Sequence, residues 1–233
     1  MQNSELLIAD VKGYCAATVE MLLEVHVYKN VSSKLLIPQY KSDKNNAKRI
    51  SEQEARFLFA HAIENGKNEY LYSIETPTVG DYSFSGSGER SASTDMSLYK
   101  NDYRKDPIVN IEFKSKNPPE AHISKDICKL VIEQTEIKNN IGVWFHLVEN
   151  ADNGTIKSII KKMQESFYDK DGEYLKKYSA KYNLANNSNI TILFCFCVLS
   201  EGAYWFEFIH NRGNIDDNFK TVSEIFLKGL PKI

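Results

Sequence analysis

TDMSLYKNDYRKDPIVNIEFKSK, residues 94–116, reads as the end of one strand, a basic turn and the strand PIVNIEFKS. In that second strand Val109, Ile111 and Phe113 alternate with Asn110, Glu112 and Lys114. One face is therefore apolar and the other carries a carboxylate beside an ammonium, because successive strand side chains point to opposite sides. Asp95 sits on the preceding strand, across a hairpin-sized loop. If the two strands pair, Asp95 stands beside Glu112, since laterally opposed side chains approach within about 5.5 Å. Two carboxylates at that separation raise each other's pKa. A divalent cation removes the cost, and oxygen-only ligands with open positions suit Mg²⁺ or Mn²⁺. Such an ion lowers the pKa of a bound water and stabilises charge on a phosphodiester, while a lysine one pleat away orients the water or neutralises the transition state.

Outward from this stretch, the neighbouring segments predict an α/β chain around a mostly central sheet. SEQEARFLFAHAIENG (51–66) reads as a helix with Ser51 as N-cap and Asn65 and Gly66 as the stop. EYLYSIETPTVGDYSF (69–84) reads as one long or broken strand, followed by the loop SGSGER and a strand near TDMSLY. In ISKDICKLVIEQTEIK (123–138), Ile123, Ile127, Leu130, Val131 and Gln134 recur at helical spacing, and IGVWFHLVE (141–149) is a short apolar strand. The order is helix, three strands, helix, strand. Before it, TVEMLLEVHVYKN (18–30) alternates Val19, Met21, Leu23, Val25 and Val27 with mostly polar neighbours and predicts a strand, although Leu22 breaks the period. Residues 41–49, KSDKNNAKR, read as a surface loop or boundary. After it come a basic amphipathic helix (IKSIIKKMQESF, 156–167), the strands NITILFCFCVLS and AYWFEFIH joined at Glu201 and Gly202, and a last helix ending near Lys228.

Composition bounds the possibilities. A chain of 233 residues with 42% hydrophobic residues buries a full core as one domain. No stretch reaches the roughly 18 uncharged apolar residues needed to span a bilayer, and MQNSELLIAD lacks the pattern of a signal peptide. A cytoplasmic location, with no membrane partner, is the expectation. Cys15, Cys128, Cys195 and Cys197 lack CxxC spacing and a histidine cluster, so reduced core thiols are expected rather than a zinc site or disulfides. The net charge of −2 argues against a broadly basic nucleic-acid coat, so a polyanion would be held by a local patch or through metal.

An Asp, a spacer and Glu-x-Lys on the next strand, set in that element order, resembles the PD-(D/E)XK nuclease superfamily over residues 48–150. The resemblance implies a restriction-endonuclease-like fold: a three-layer α/β/α sandwich around a mixed central sheet. Residues 1–47 would then be an N-terminal extension packed on the core, and 151–233 a C-terminal helix, hairpin and helix that extend the sheet or build a dimer or substrate surface. It also implies Mg²⁺-dependent (or Mn²⁺-dependent) hydrolysis of nucleic acid, DNA before RNA. Carried over, Asp95 and Glu112 bind the metal, the Phe113 carbonyl completes its coordination and Lys114 assists the attacking water. Thr94 stands where the family has proline.

Further residues have two readings each. Glu54 is either the extra catalytic glutamate that many members carry on the first helix or the partner of Ser51 in a capping box. His61 lies two turns on. Lys125, Lys129 and Gln134 on the second helix touch the site or the substrate backbone, or form a solvated face. Arg90 and Lys116 are candidate phosphate contacts. Lys100, Arg104 and Lys105 in the turn, Lys157, Lys161 and Lys162 on the later helix, and Tyr168, Tyr174 and Tyr178 are either nucleic-acid contacts or plain surface. Trp144, Phe145, Trp205 and Phe206 read as core. Two rival functions remain open: a catalytically silent member acting as a binding or assembly module, and a glycosidase using Asp95 and Glu112 as acid and base. A lysine beside the glutamate speaks against the glycosidase.

Overall fold

The structure, a computed structural model, describes residues 2–26, 34–38, 48–84, 88, 90–100, 106–138, 140–149, 153–167, 173–178, 180–182, 184, 189–200 and 203–211. The elements run α1 (Gln2–His26), α2 (Glu52–Glu64), β1 (Tyr70–Tyr82), β2 (Arg90–Lys100), β3 (Val109–Ser115), α3 (Glu120–Glu136), β4 (Ile141–Val148), α4 (Asn153–Phe167), α5 (Glu173–Tyr178), β5 (Asn189–Val198) and β6 (Ala203–Asn211). The proposed turn residues Arg104 and Lys105, Tyr168 and the last helix near Lys228 lie outside the described residues.

The six strands form one mixed sheet in chain order, β1 to β6. β1, β2 and β3 are antiparallel, β3, β4 and β5 are parallel, and β6 returns antiparallel to β5. Helices cover both faces. One core joins α1 and α2 to Ile111, Phe113, Phe145 and Cys195; the other joins α3, α4 and α5 to Trp144, Phe194 and Phe196. The chain is thus a three-layer α/β/α sandwich. Its parallel centre is buried on both faces, which is why β4 is apolar nearly throughout instead of alternating. All four cysteines are buried free thiols. No described helix is long and apolar enough to cross a membrane.

The strand expected over 18–30 is instead the end of α1, as far as His26. Val11, Tyr14, Cys15, Thr18, Val19, Leu22 and Leu23 are buried, a spacing of three and four that describes one helix face. Leu22, which breaks the period of two, is fully buried there.

Aromatic packing sets α2 against the sheet. Phe59 meets Phe113 and Phe145 edge-on, with ring centroids 5.7 and 6.4 Å away. On the other side, Glu133 of α3 grips a bulge in β1. The β1–β2 register shifts between Pro77 and Asp81, and the Glu133 carboxylate accepts from the Val79 and Gly80 amides at 3.0 and 2.9 Å and from the Tyr82 hydroxyl at 3.3 Å. These amides would otherwise be orphaned by the irregular ladder.

His146, in the middle of β4, is fully buried. Trp144 Nε1 donates to its Nδ1 at 3.3 Å, and its Nε2 lies 2.7 Å from the Lys116 carbonyl, which can only accept. The ring is therefore the neutral Nε2–H tautomer, stacked on Phe196. Burial lowers its pKa to about 4, against the Lys116 hydrogen bond and with help from Lys114 and Lys162. The folded chain therefore refuses a proton that the unfolded chain accepts, so this contribution to stability is intact above pH 6.5 and is lost as pH falls from there toward 4. Lowering the pH from 7 to 5 should cost about 2 kcal/mol through this group. Urea unfolding at the two pH values checks it, with a flatter dependence expected for His146→Gln.

Candidate functional site

The recorded ladder between β2 and β3 runs from Leu98 opposite Val109 to Met96 opposite Ile111. One step further the rung changes character: the Asp95 side chain, through Oδ2, accepts the Phe113 amide at 2.8 Å. Asp95 Oδ1 accepts from Arg56 Nη2 at 2.7 Å, and Arg56 Nη1 meets Glu75 Oε1 at 2.6 Å. Arg56 is a buried residue of α2, and Glu75 lies on β1 with a left-handed backbone, φ 53°. A non-glycine residue holds that conformation at a cost of about 1 kcal/mol or more, and such strain gathers at functional sites.

On the α3 face of β3 lie Glu112 and Lys114. Glu112 Oε1 stands 2.6 Å from Lys129 Nζ, which also reaches Asp126 Oδ1 at 2.9 Å and the Ser93 carbonyl at 2.8 Å. Lys114 Nζ contacts Asp126 Oδ2 at 2.5 Å, the Phe113 carbonyl at 3.2 Å and Glu52 Oε1 at 4.0 Å. Asp126 thus bridges the two lysines. Asp95, Glu112 and Lys114 all line one cleft of about 780 Å³, with Asp126 and Lys129 on its α3 wall.

Electrostatics follow from depth. Burial pushes the Glu112 carboxyl well above the usual range; Lys129 opposes the rise, and Asp126 and Asp95 add to it. Burial also weakens both lysines as ammonium ions, but Asp126, Glu112 and Glu52 more than offset it for Lys114, which rises to about 12. Glu112 and Asp126 carry Lys129 above the ordinary lysine range. In the Glu112–Lys129 pair the proton therefore stays on the far stronger base, Lys129. Asp126, against the same burial, is held below its usual value by Lys129 and Lys114.

The charges can be matched. Asp95, Glu112 and Asp126 are the three deep carboxylates, and Arg56, Lys129 and Lys114 are their three partners. Glu75 and Glu52, at 59% and 34% side-chain exposure, extend the same network toward water. Arg90 and Lys125, which line the same cleft, balance these two further carboxylates.

Of the other residues named from sequence, Lys125 and Arg90 also line the cleft. Glu54 does not: its carboxylate accepts from the Ser51 amide at 2.9 Å and the Ser51 hydroxyl at 2.5 Å, the capping-box arrangement. His61 pairs with Asn65 at the far end of α2. Gln134 is turned away to the β5 side, where its Oε1 accepts from the Thr191 amide at 2.7 Å. Lys116 follows β3 with φ 63°, and its carbonyl serves His146. Lys162 is tied to Asn117 and Pro118, outside the cleft lining. Sequence reasoning missed Arg56, Glu75, Asp126 and Glu133. A signal existed for two of them: Asp126, Lys129 and Glu133 recur at helical spacing among the buried apolar residues of α3, a polar stripe on a face that packs on the sheet.

The donors that a hard cation would use are Asp95, Glu112 and the Phe113 carbonyl, all oxygen. They fit Mg²⁺ or Mn²⁺ in chemistry, and Asp95 and Glu112 line one cleft, although each of the three oxygen groups faces a cation of the chain. Among the described residues, no group of three or more His, Cys, Asp or Glu side chains is gathered as a metal cage. No protein-family model, curated protein or solved structure matches the chain.

Removing Asp126 would leave the buried Lys114 ammonium with only Glu52, 4.0 Å away, as a charge partner and take one of the two carboxylates from Lys129. Asp126→Ala should cost about 3–5 kcal/mol in urea unfolding. Glu165→Ala, which breaks only the exposed Lys161–Glu165 pair at 3.6 Å, should cost less than about 1 kcal/mol.

Proposed function

We propose that the chain is a Mg²⁺-dependent nuclease of the PD-(D/E)XK type, hydrolysing phosphodiester bonds of nucleic acid, DNA before RNA. The observation that carries the reading is the convergence of Asp95, Glu112 and Lys114 on one polar cleft where β2 and β3 part. Support comes also from the order α2, three strands, α3, strand around that cleft. Asp95, Glu112 and the Phe113 carbonyl would hold the ion. A bound divalent ion supplies a water of lowered pKa and a positive charge against the phosphodiester under attack.

The residues themselves do the rest. Lys114, held as an ammonium by Asp126, serves as a fixed positive charge facing the developing negative charge, and not as a general base. Asp126 positions it. Arg56 and Lys129 pair with Asp95 and Glu112, and would have to yield those carboxylate oxygens to an ion held there.

A second reading has its own observation. Three ion pairs, Arg56–Asp95, Lys129–Glu112 and Lys114–Asp126, already neutralise the deep carboxylates, as a silent nucleic-acid-binding or assembly module would require. Cleavage separates the two. The nuclease degrades DNA or RNA in Mg²⁺, stops in EDTA, and loses at least about a hundredfold in rate in Asp95→Ala and Lys114→Ala. No cleavage of either polymer in Mg²⁺ or Mn²⁺ by the intact chain leaves the silent module.

Arg56 competes with the ion for Asp95. Arg56→Ala should therefore bind Mg²⁺ more tightly than the parent in a calorimetric titration, and equal or absent binding in both would contradict a metal site at Asp95.

A further inference from the structure

The carboxylates fill only one end of the cleft. Its other end is aromatic and basic: Tyr82, Phe84 and Arg90 come from the β1–β2 hairpin, His122 and Lys125 from α3, and Tyr174 from α5. Phe84 stacks on Tyr82 at 4.9 Å with ring planes 13° apart, and meets Tyr174 edge-on at 4.9 Å. Lys125 Nζ lies over the Phe84 ring, 5.1 Å from its centroid. Phe84 is half-buried, whereas Arg90 and His122 are exposed. The end of β1 is tied to α5 and the turn after it. The Tyr178 hydroxyl takes the Ser83 amide, the Tyr182 hydroxyl takes the Asp81 amide at 2.9 Å, and Lys177 donates to the Ser83 carbonyl at 2.7 Å.

We propose that this end is a nucleotide subsite for single-stranded nucleic acid, in which Arg90 and Lys125 take a phosphate and the Phe84 ring takes a base. The inference rests on the nuclease reading of the same cleft and names its substrate class. Planar rings beside two cations are the pairing that single-strand sites use, because every base has a face to stack and every nucleotide a phosphate. When Lys125 swings from the ring to a phosphate, it uncovers the face on which the base then stacks. The depth of the site points away from duplex. Glu112, Asp126 and Lys129 are 1%, 5% and 3% exposed, at the floor of a cleft walled by the hairpin and α3. Its volume is that of a small-ligand pocket, about 300–1,000 Å³, which admits a strand of nucleotides and not a rigid double helix.

The test is fluorescence anisotropy with a labelled oligothymidylate, single-stranded or annealed to oligodeoxyadenylate, in Ca²⁺, with cleavage in Mg²⁺ measured separately. The single strand should bind more tightly than the duplex, and Phe84→Leu, which keeps an apolar side chain without a stacking face, should weaken it about tenfold. Arg90→Ala and Lys125→Ala should weaken it and flatten its salt dependence. Duplex bound as tightly as single strand, no binding of either, or binding unchanged in all three variants overturns the subsite. Single-strand binding that depends on these residues, without cleavage in Mg²⁺, upholds the subsite and removes the nuclease reading instead.

Discussion

Beyond the Met96–Ile111 rung, a side chain replaces a strand. The Asp95 carboxylate takes the Phe113 amide that a β2 carbonyl would otherwise take, so the sheet opens without orphaning a buried donor. That substitution brings Asp95 to the Glu112 end of β3 and leaves an oxygen for Arg56 of α2. The Phe113 ring, on the opposite face, packs against Phe59 of the same helix. One residue of β3 therefore couples the apolar core to the polar cleft: its ring fixes α2, and its amide fixes Asp95.

The polar cleft has to answer for its burial. Isolated charges this deep would cost several kcal/mol each. The chain meets that cost by joining them into one network, in which Asp126 serves two lysines and Lys129 serves two carboxylates. A network of this kind is weak evidence for stability and better evidence for a site, since an apolar core would be cheaper. The left-handed backbone of Glu75 beside it points the same way. Glu133 grips the β1 bulge, and the tyrosines of α5 and the following turn hold the end of β1 at Asp81 and Ser83. They keep the far wall of the cleft in place without lending a charge to the carboxylate end.

Much of this was legible in the residues. The alternation of β3, the Ser51 cap of α2, the apolar run of β4 and the helical spacing of α3 each come from local geometry, and each appears as expected. The α1 segment was not legible. Residues 19–27 satisfy a period of two, and the helical pattern needs Val11, Tyr14 and Cys15 upstream to be seen. Glu54 had two plausible roles in the sequence, and the Ser51 amide and hydroxyl take its carboxylate.

By itself, the sequence determined which faces are apolar and that Asp95, Glu112 and Lys114 belong on neighbouring strands, because side-chain direction along an element follows from its backbone period. Only the tertiary structure decided which charges meet. Arg56 finds Asp95 39 residues away, and Lys129 finds Glu112 across a strand-to-helix connection. Such pairings depend on how packed layers superpose elements that are distant in the chain, and no local pattern records that.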